Sequence, residues 1–383
     1  MPIDLDQAVE VFAGSSDCTV GIEEEFAVLD AASLDMVPRF EELRDAAIAD
    51  DPALAESIAG ELISSEIEIR SGRGEDVHDA LRRQRDMRAR LFALAESHGI
   101  ALGATGTHPW ADYREQRNID TEHYRRVVDG LRYVARRNNT FSLHVHVGAR
   151  DVDRAVRACD RLRPVLPLLL ALSANSPYLD ARDSGLHSAR SQAFTKSFPR
   201  CGIPDAYGSW AAYREYVDFL IRTDSIVEYT QVWWSIRPHL DFGTVEVRIC
   251  DAQTSATESE ALAALIVACV GQALRDLDER VPFADPPRRL VEENFWRAIR
   301  YGLDGTLIDL DRGELFPAAA VVERLLQWTA PVRAEIGIEP SFPALNGAQR
   351  QRRAIDAGAT MQEVFAAAVR ETSQTYVQEA ETA

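Results

Sequence analysis

The stretch that most constrains this chain is Cys18 to Asp30, C-T-V-G-I-E-E-E-F-A-V-L-D, which reads as one long strand. Side chains of a strand alternate between its faces, so Val20, Ile22, Phe26 and Val28 form an apolar side while Gly21, Glu23 and Glu25 form the other. Neighbouring carboxylates on a sheet repel each other and ionise together poorly unless a cation or an arginine lies between them. The strand therefore reads as half of a metal site. Glu24 falls on the apolar side, where an unpaired charge is costly, so it must reach the sheet edge or meet an arginine.

Further strands repeat the pattern. In S-S-E-I-E-I-R-S, Ile67 and Ile69 face one way and Glu66, Glu68 and Arg70 the other; in F-S-L-H-V-H-V-G, His144 and His146 share a face with Ser142 and Gly148. A later run reads as two strands joined at Asp241-Phe242-Gly243, presenting Trp233, Ser235, Arg237 and His239 from the first and Thr244, Glu246 and Arg248 from the second. Acids, imidazoles and guanidinium groups on separate strands with apolar backs point to convergence on something charged. Carboxylate oxygens with one or two imidazoles suit Mg²⁺ or Mn²⁺ better than zinc, and this many acids implies more than one ion. Arg248 and Arg237 would supply planar forks for phosphoryl oxygens, so phosphoryl transfer is the expected chemistry.

The rest of the chain reads as mainly helical. Helices are expected over 4–13, over 40–63 with a break at Asp51-Pro52, over 75–98 with its arginines on a solvated face, and over 121–137. Others cover 151–174, bent by Pro164 and Pro167, then 209–222, and a helix opened by a T-E-S-E capping box at 257–260. Residues 175–208 have no clear period and read as a substrate-covering loop. No linker interrupts the sequence. The expectation is one α+β domain over 1–383, mostly helical from about 257.

Composition narrows the partners. A formal charge of −19 excludes nucleic acid and anionic membrane as natural partners. Five scattered cysteines without C-x-x-C spacing suit a reducing cytoplasm. The first ten residues do not read as an export signal, and the aliphatic run near Val165 to Leu172 is too short to span a bilayer, so a cytoplasmic protein is expected. Walker, dinucleotide-binding and G-x-S-x-G motifs are absent, and Lys196 is the only lysine.

Taken together, G-I-E-E-E-F (21–26), E-I-E-I-R-S (66–71), G-T-H-P-W (106–110), L-H-V-H-V-G (143–148), the long motif from Arg237 to Thr254 and N-F-W-R-A-I-R-Y-G-L-D-G (294–305) resemble glutamate–cysteine ligase family 2. These are carboxylate–amine ligases of the glutamine synthetase-like superfamily. The resemblance implies a curved, mainly antiparallel sheet flanked by helices, binding ATP and divalent cations and forming an amide from a carboxylate, typically that of glutamate, and an amine such as cysteine through an acyl phosphate. It implies Glu23, Glu25, Glu68, His144 and Glu246 as metal ligands, Arg248 and Arg237 at the transferred phosphoryl group, and Arg190 and His146 on the substrate side. Glu61 matches another acid of related ligases, although strand alternation puts it on the wrong face. A homo-oligomer is the superfamily expectation. Another phosphoryl-transfer or amide-hydrolysing enzyme, or an inactive relative, stays open as an alternative.

Overall fold

Every strand of the main sheet pairs antiparallel to its neighbours. The computed structural model describes residues 5–137 and 139–377. The strands are β1 (Val20–Asp30), β2 (Ile58–Ala59), β3 (Glu66–Arg70), β4 (Ile100–Gly103), β5 (Ser142–Gly148), β6 (Ile236–His239) and β7 (Thr244–Asp251). Their order is β2-β3-β1-β5-β7-β6, with β4 also paired to β1. Strand β1 is long enough to serve three partners: β3 along one edge, and β5 then β4 along the other.

Register decides which side chains meet. Glu25 lies opposite Glu68 and Ala27 opposite Glu66; Glu23 lies opposite His144 and Gly21 opposite His146. His146 in turn faces Glu246, and Glu246 faces Arg237. Directly opposed residues share a face, so the acids and imidazoles expected to converge do so. Between Leu143 and Val145 the register slips, leaving Arg248 and Ile249 of β7 against His144 alone. This is a β-bulge, and it frees backbone carbonyls from the ladder.

The opposite face is core. Val20 and Ile22 pack with Leu143, Val145 and Val147 against helices Val152–Leu162 and Ala256–Asp278. Phe26 and Val28 pack with Ile67 and Ile69 against helix Val77–Ser97. Phe26 meets Phe92 and Tyr376 edge-on, both at 5.4 Å between ring centres, contacts worth about 0.5–1.5 kcal/mol each beyond area burial.

Of the two outcomes open to Glu24, the sheet edge or an arginine, the structure shows an arginine. Arg88 donates to it from Nε at 2.7 Å and Nη2 at 2.6 Å, with Gln84 Nε2 at 2.8 Å and the Ser259 hydroxyl completing the set. Arg88 is thus buried, contrary to the expectation that this helix's arginines all face solvent.

Other expectations need correction. The helix read over 121–137 breaks at Arg132, whose φ is +52°, into Glu122–Leu131 and Tyr133–Arg136. The T-E-S-E capping box does not cap: the helix starts at Ala256, Glu258 pairs with Arg350 at 2.6 Å, and Glu260 pairs with Arg88 at 2.7 Å. The C-terminal part contains a hairpin, Thr306–Asp309 with Glu314–Pro317. Both prolines in 151–174 act as expected, with a 3₁₀ turn over Arg163–Val165 separating two helices. No helix among the described residues is long and apolar enough to cross a membrane.

Much of the expected covering loop is pinned rather than free. Buried Asp251 accepts from Asn175 N at 2.9 Å, Ser176 Oγ at 2.6 Å and Ser188 Oγ at 2.9 Å. Asp251→Asn removes the charge and acceptor capacity from three buried donors, with an expected cost of about 1–3 kcal/mol. Limited proteolysis should then cut faster within 175–191; an unchanged cleavage rate would contradict the anchoring.

Candidate active site

Where β1, β3, β5, β6 and β7 present their polar sides, a cavity of about 330 Å³ opens, lined by Glu23, Glu25, Glu61, Glu66, Glu68 and Glu246 and by Arg70, Arg190, Arg237 and Arg248, with His144 and His146 between them. All nine site residues expected from the sequence therefore meet at one place. Six carboxylates face four guanidinium groups, so the lining has acid to spare.

Three groups of donor atoms lie close enough to share an ion: Glu23, Glu68 and His144; Glu23, His146 and Glu246; and Glu25, Glu61 and Glu68, each within 4.8 Å. The histidines are oriented by neighbours. His144 Nε2 lies 2.8 Å from Ser142 Oγ and its Nδ1 lies 3.3 Å from Glu23. His146 Nδ1 lies 2.9 Å from Thr244 Oγ1, while its buried Nε2 has no hydrogen-bond partner and lies 3.4 Å from Glu23 and 3.8 Å from Glu246. An imidazole fixed through one nitrogen with the other aimed at carboxylates is the arrangement of a metal ligand.

Electrostatics divides the acids into two sets. Burial alone would raise Glu23, but His146 and His144 outweigh it and hold the carboxyl well below its usual range. Glu246 is likewise held low against burial, by Arg237 and Arg248. At the other end burial and the neighbouring carboxylates push Glu61 up to about 8, and drive Glu66 and Glu68 well above the usual range. Such crowding is what a divalent cation relieves, so the residues fit Mg²⁺ or Mn²⁺.

The arginines differ in what they have left to offer. Arg237 uses all three nitrogens within the protein: Nε and Nη2 donate to Glu246 at 2.5 and 3.3 Å, and Nη1 donates to the carbonyls of Thr230 and Val232, both at 2.9 Å. Four of its five N–H groups are thus taken by protein acceptors, so Arg237 buttresses Glu246 and has one N–H on Nη2 left to offer. Arg248 donates to Glu246 through Nη1 and keeps a buried Nε without a partner. Arg190 donates through its Nη atoms to the bulge carbonyls of Ile249 at 3.1 Å and Arg248 at 3.2 Å, and also keeps an unpartnered Nε.

Glu61 and Glu66 are the acids whose roles sequence reasoning left open. Residues 60–65 are irregular rather than a strand, so alternation does not apply and Glu61 turns inward. The signal available was Gly60, which interrupts the helical period just before it. Apolar side chains also line the cavity: Val127, and a cluster of Phe194, Phe198 and Trp233 with ring centres 4.5 and 5.7 Å apart. The helix that carries Val127, Glu122–Leu131, is latched by Tyr124 Oη donating to Gly60 O at 2.6 Å.

The sequence matches the profile of glutamate-cysteine ligase family 2 (GCS2) over residues 19–381. A relative from Solibacter usitatus, carried under the provisional name glutamate–cysteine ligase 2, is 37% identical over 361 residues, 92% of this chain and 93% of its own length. A similarly provisional glutamate–cysteine ligase 2-1 of Rubrobacter xylanophilus is 37% identical over 351 residues, 90% and 92% of the two chains. Among solved structures, a bifunctional glutathione synthetase from Pasteurella multocida superposes with a TM-score of 0.67 at 14% identity over 97% of this chain and 54% of that one, so this chain spans about half of it. A glutamate–cysteine ligase from Francisella tularensis, solved in complex with AMP, gives 0.66 at 13% identity over 94% and 89%. At such identities the likeness is one of fold, that of glutamine synthetase-like ligases. The family match and the two relatives' identity over nine-tenths of the chain place this protein in glutamate–cysteine ligase family 2, a family of ligase enzymes.

Proposed function

We propose that this chain, acting as one catalytic domain, joins a carboxylate of glutamate to an amine, cysteine being the first candidate, with release of ADP and phosphate. The observation that carries this reading is the meeting of three carboxylate-rich donor groups with Arg248 in a single cavity. Glu23, Glu25, Glu61, Glu68, Glu246, His144 and, in place of the substrate-side role expected of it, His146 would hold divalent cations. When bound, such ions neutralise charge on a triphosphate and on the oxygens that exchange the phosphoryl group.

The remaining work falls to protein groups. The substrate carboxylate attacks the γ-phosphoryl of ATP, giving an acyl phosphate and ADP, and the amine then displaces phosphate. Arg248, with Nε free of protein acceptors, donates to the transferred group, and Glu246 fixes its guanidinium. Phe194, Phe198, Trp233 and Val127 keep bulk water from the acyl phosphate.

Incubation with ATP, Mg²⁺, glutamate and a panel of amines tests the reading. ADP release that requires both glutamate and an amine, with an amide product, is expected. ADP without amide would replace it by a kinase-like or hydrolytic activity.

A linkage prediction follows from the acids with raised values. In the window from the ordinary carboxylate range up to about 8, folded Glu61 keeps a proton that the unfolded chain has released. Glu66 and Glu68 shift the same way. Stability of the metal-free protein should thus fall as pH rises through that window. His146, shifted upward, steepens the fall and His144, shifted downward, opposes it; Glu23 and Glu246 titrate below it. Mg²⁺ replaces the protons, so it should raise the melting temperature more at about pH 8.5 than at about pH 5.5. Equal shifts at both would contradict ion binding by these acids.

A further inference from the structure

Three aromatic rings stand among the charges of the cavity. Phe198 packs between Phe194 and Trp233, its ring centre 4.5 Å from the first and 5.7 Å from the second. Phe198 is buried, while Phe194 and Trp233 keep part of their surface uncovered. Arg200, which is not in the lining, backs the Trp233 ring at 5.7 Å. The cluster adjoins the arginines of the site. Phe194 lies in the turn Ser191–Thr195, which Arg190 opens, and Trp233 lies two residues before Ser235, whose carbonyl accepts from Arg248 N at 2.9 Å.

Uncovered rings call for a flat apolar occupant. The nucleotide base does not suit them, because its ribose and triphosphate hold it away from the phosphoryl group at Arg248. Phe242 leaves the base a station of its own: it lines the cavity, is 57% exposed and stacks on His239 at 4.2 Å. It stands beyond Thr244, which strand rise puts roughly 13 Å along β7 from Arg248. Glutamate is charged at both ends and has no flat body, so the rings are left to the amine. The charges narrow that amine further. Each arginine of the lining already has an acid against it: Arg70 lies 3.8 Å from Glu68, Arg190 3.7 Å from Asp251 and Arg237 2.5 Å from Glu246, which Arg248 also contacts. None is left over for the carboxylate of a second amino acid. Neither cysteine nor methionine lines the cavity, and a thiol is too small to cover three rings. We infer that the acceptor is an arylalkylamine, a primary amine with an aromatic body and no carboxylate, seated on Phe194, Phe198 and Trp233 in place of cysteine. Its nitrogen bonds to the acyl carbon, the C–O bond to phosphate breaks with the electron pair leaving on phosphate, and the two surplus ammonium protons go to phosphate and water.

This acceptor rests on the ligase reading for its reaction, but binding tests it without turnover. Calorimetry with Mg²⁺, glutamate and a non-hydrolysable ATP analogue compares phenethylamine with ethylamine, which lacks the ring, with phenylalanine, which adds a carboxylate, and with cysteine. Phenethylamine should bind roughly 10- to 100-fold tighter than ethylamine, and at least about tenfold tighter than phenylalanine or cysteine. Trp233→Ala should weaken phenethylamine by at least about tenfold but ethylamine and the ATP analogue by less than about threefold, and Trp233→Phe should recover most of the loss. Ratios within one preparation cancel any misfolded fraction. Ethylamine, phenylalanine or cysteine binding as tightly as phenethylamine would overturn the inference. So would equal losses of analogue and amine in Trp233→Ala, which would give the rings to the nucleotide base. Ring-dependent binding in a protein that forms no amide would support the acceptor site and contradict the ligase reading, whereas amide formed with cysteine and not with phenethylamine would do the reverse.

Discussion

Replacing Glu246 by glutamine is expected to cut turnover by at least ~10²–10³-fold, because a fixed charge at the reacting centre is lost. The same change should loosen the fold. Glu246 is 1% exposed and is the shared counter-charge of Arg237 and Arg248, and breaking such a buried pair costs about 3–5 kcal/mol. A glutamine keeps the shape but not the charge, so two guanidinium groups are left facing each other. Guanidinium chloride unfolding and steady-state ADP release, measured on one preparation, check both halves. Near-normal turnover would remove Glu246 from the site, and unchanged stability would show that the arginines find other partners.

The second large effect lies beneath the site rather than in it. Glu24→Met leaves Arg88 buried without its principal partner and is expected to destabilise by about 3–5 kcal/mol. Arg88 retains Glu260 at 2.7 Å and the ring of Tyr376 at 4.7 Å, so partial compensation sets the lower end. Glu24 lies between Glu23 and Glu25 on β1. Loss of its anchor should therefore also shift the two acids and weaken Mg²⁺ binding. The double variant Glu24→Met with Arg88→Met removes both charges and should recover much of the loss, because apolar replacement of a buried pair is often neutral. Additive losses in the double-mutant cycle would contradict a direct interaction.

That pair also shows what could be read in the sequence. Strand alternation placed Glu24 on the apolar side and required either the sheet edge or an arginine for it. The partner was legible too, since Val77, Leu81, Gln84, Arg88, Leu91 and Ala95 follow one helical stripe and all are buried. Counting the arginines of this helix as solvated hid it. The site strands were readable because one face of each is core, which fixes register and hence the side to which every acid points. Glu61 was not readable in that way, since it stands in an irregular segment with no period to follow. Nor was the different bonding of Arg237 and Arg248: both lie on the cavity face, and only the carbonyls of Thr230 and Val232 show how much of Arg237 is taken up inside the protein. The bulge that holds Arg190 is likewise a product of pairing between β5 and β7, not of either sequence alone.

The most direct measurement is anomalous diffraction from crystals grown with Mn²⁺ and a non-hydrolysable ATP analogue. Peaks are expected within Glu23/Glu68/His144, Glu23/His146/Glu246 and Glu25/Glu61/Glu68, next to the analogue's phosphates. Bound nucleotide with no manganese among these residues, or manganese held only elsewhere on the chain, would contradict the reading of this cavity as the ligase centre.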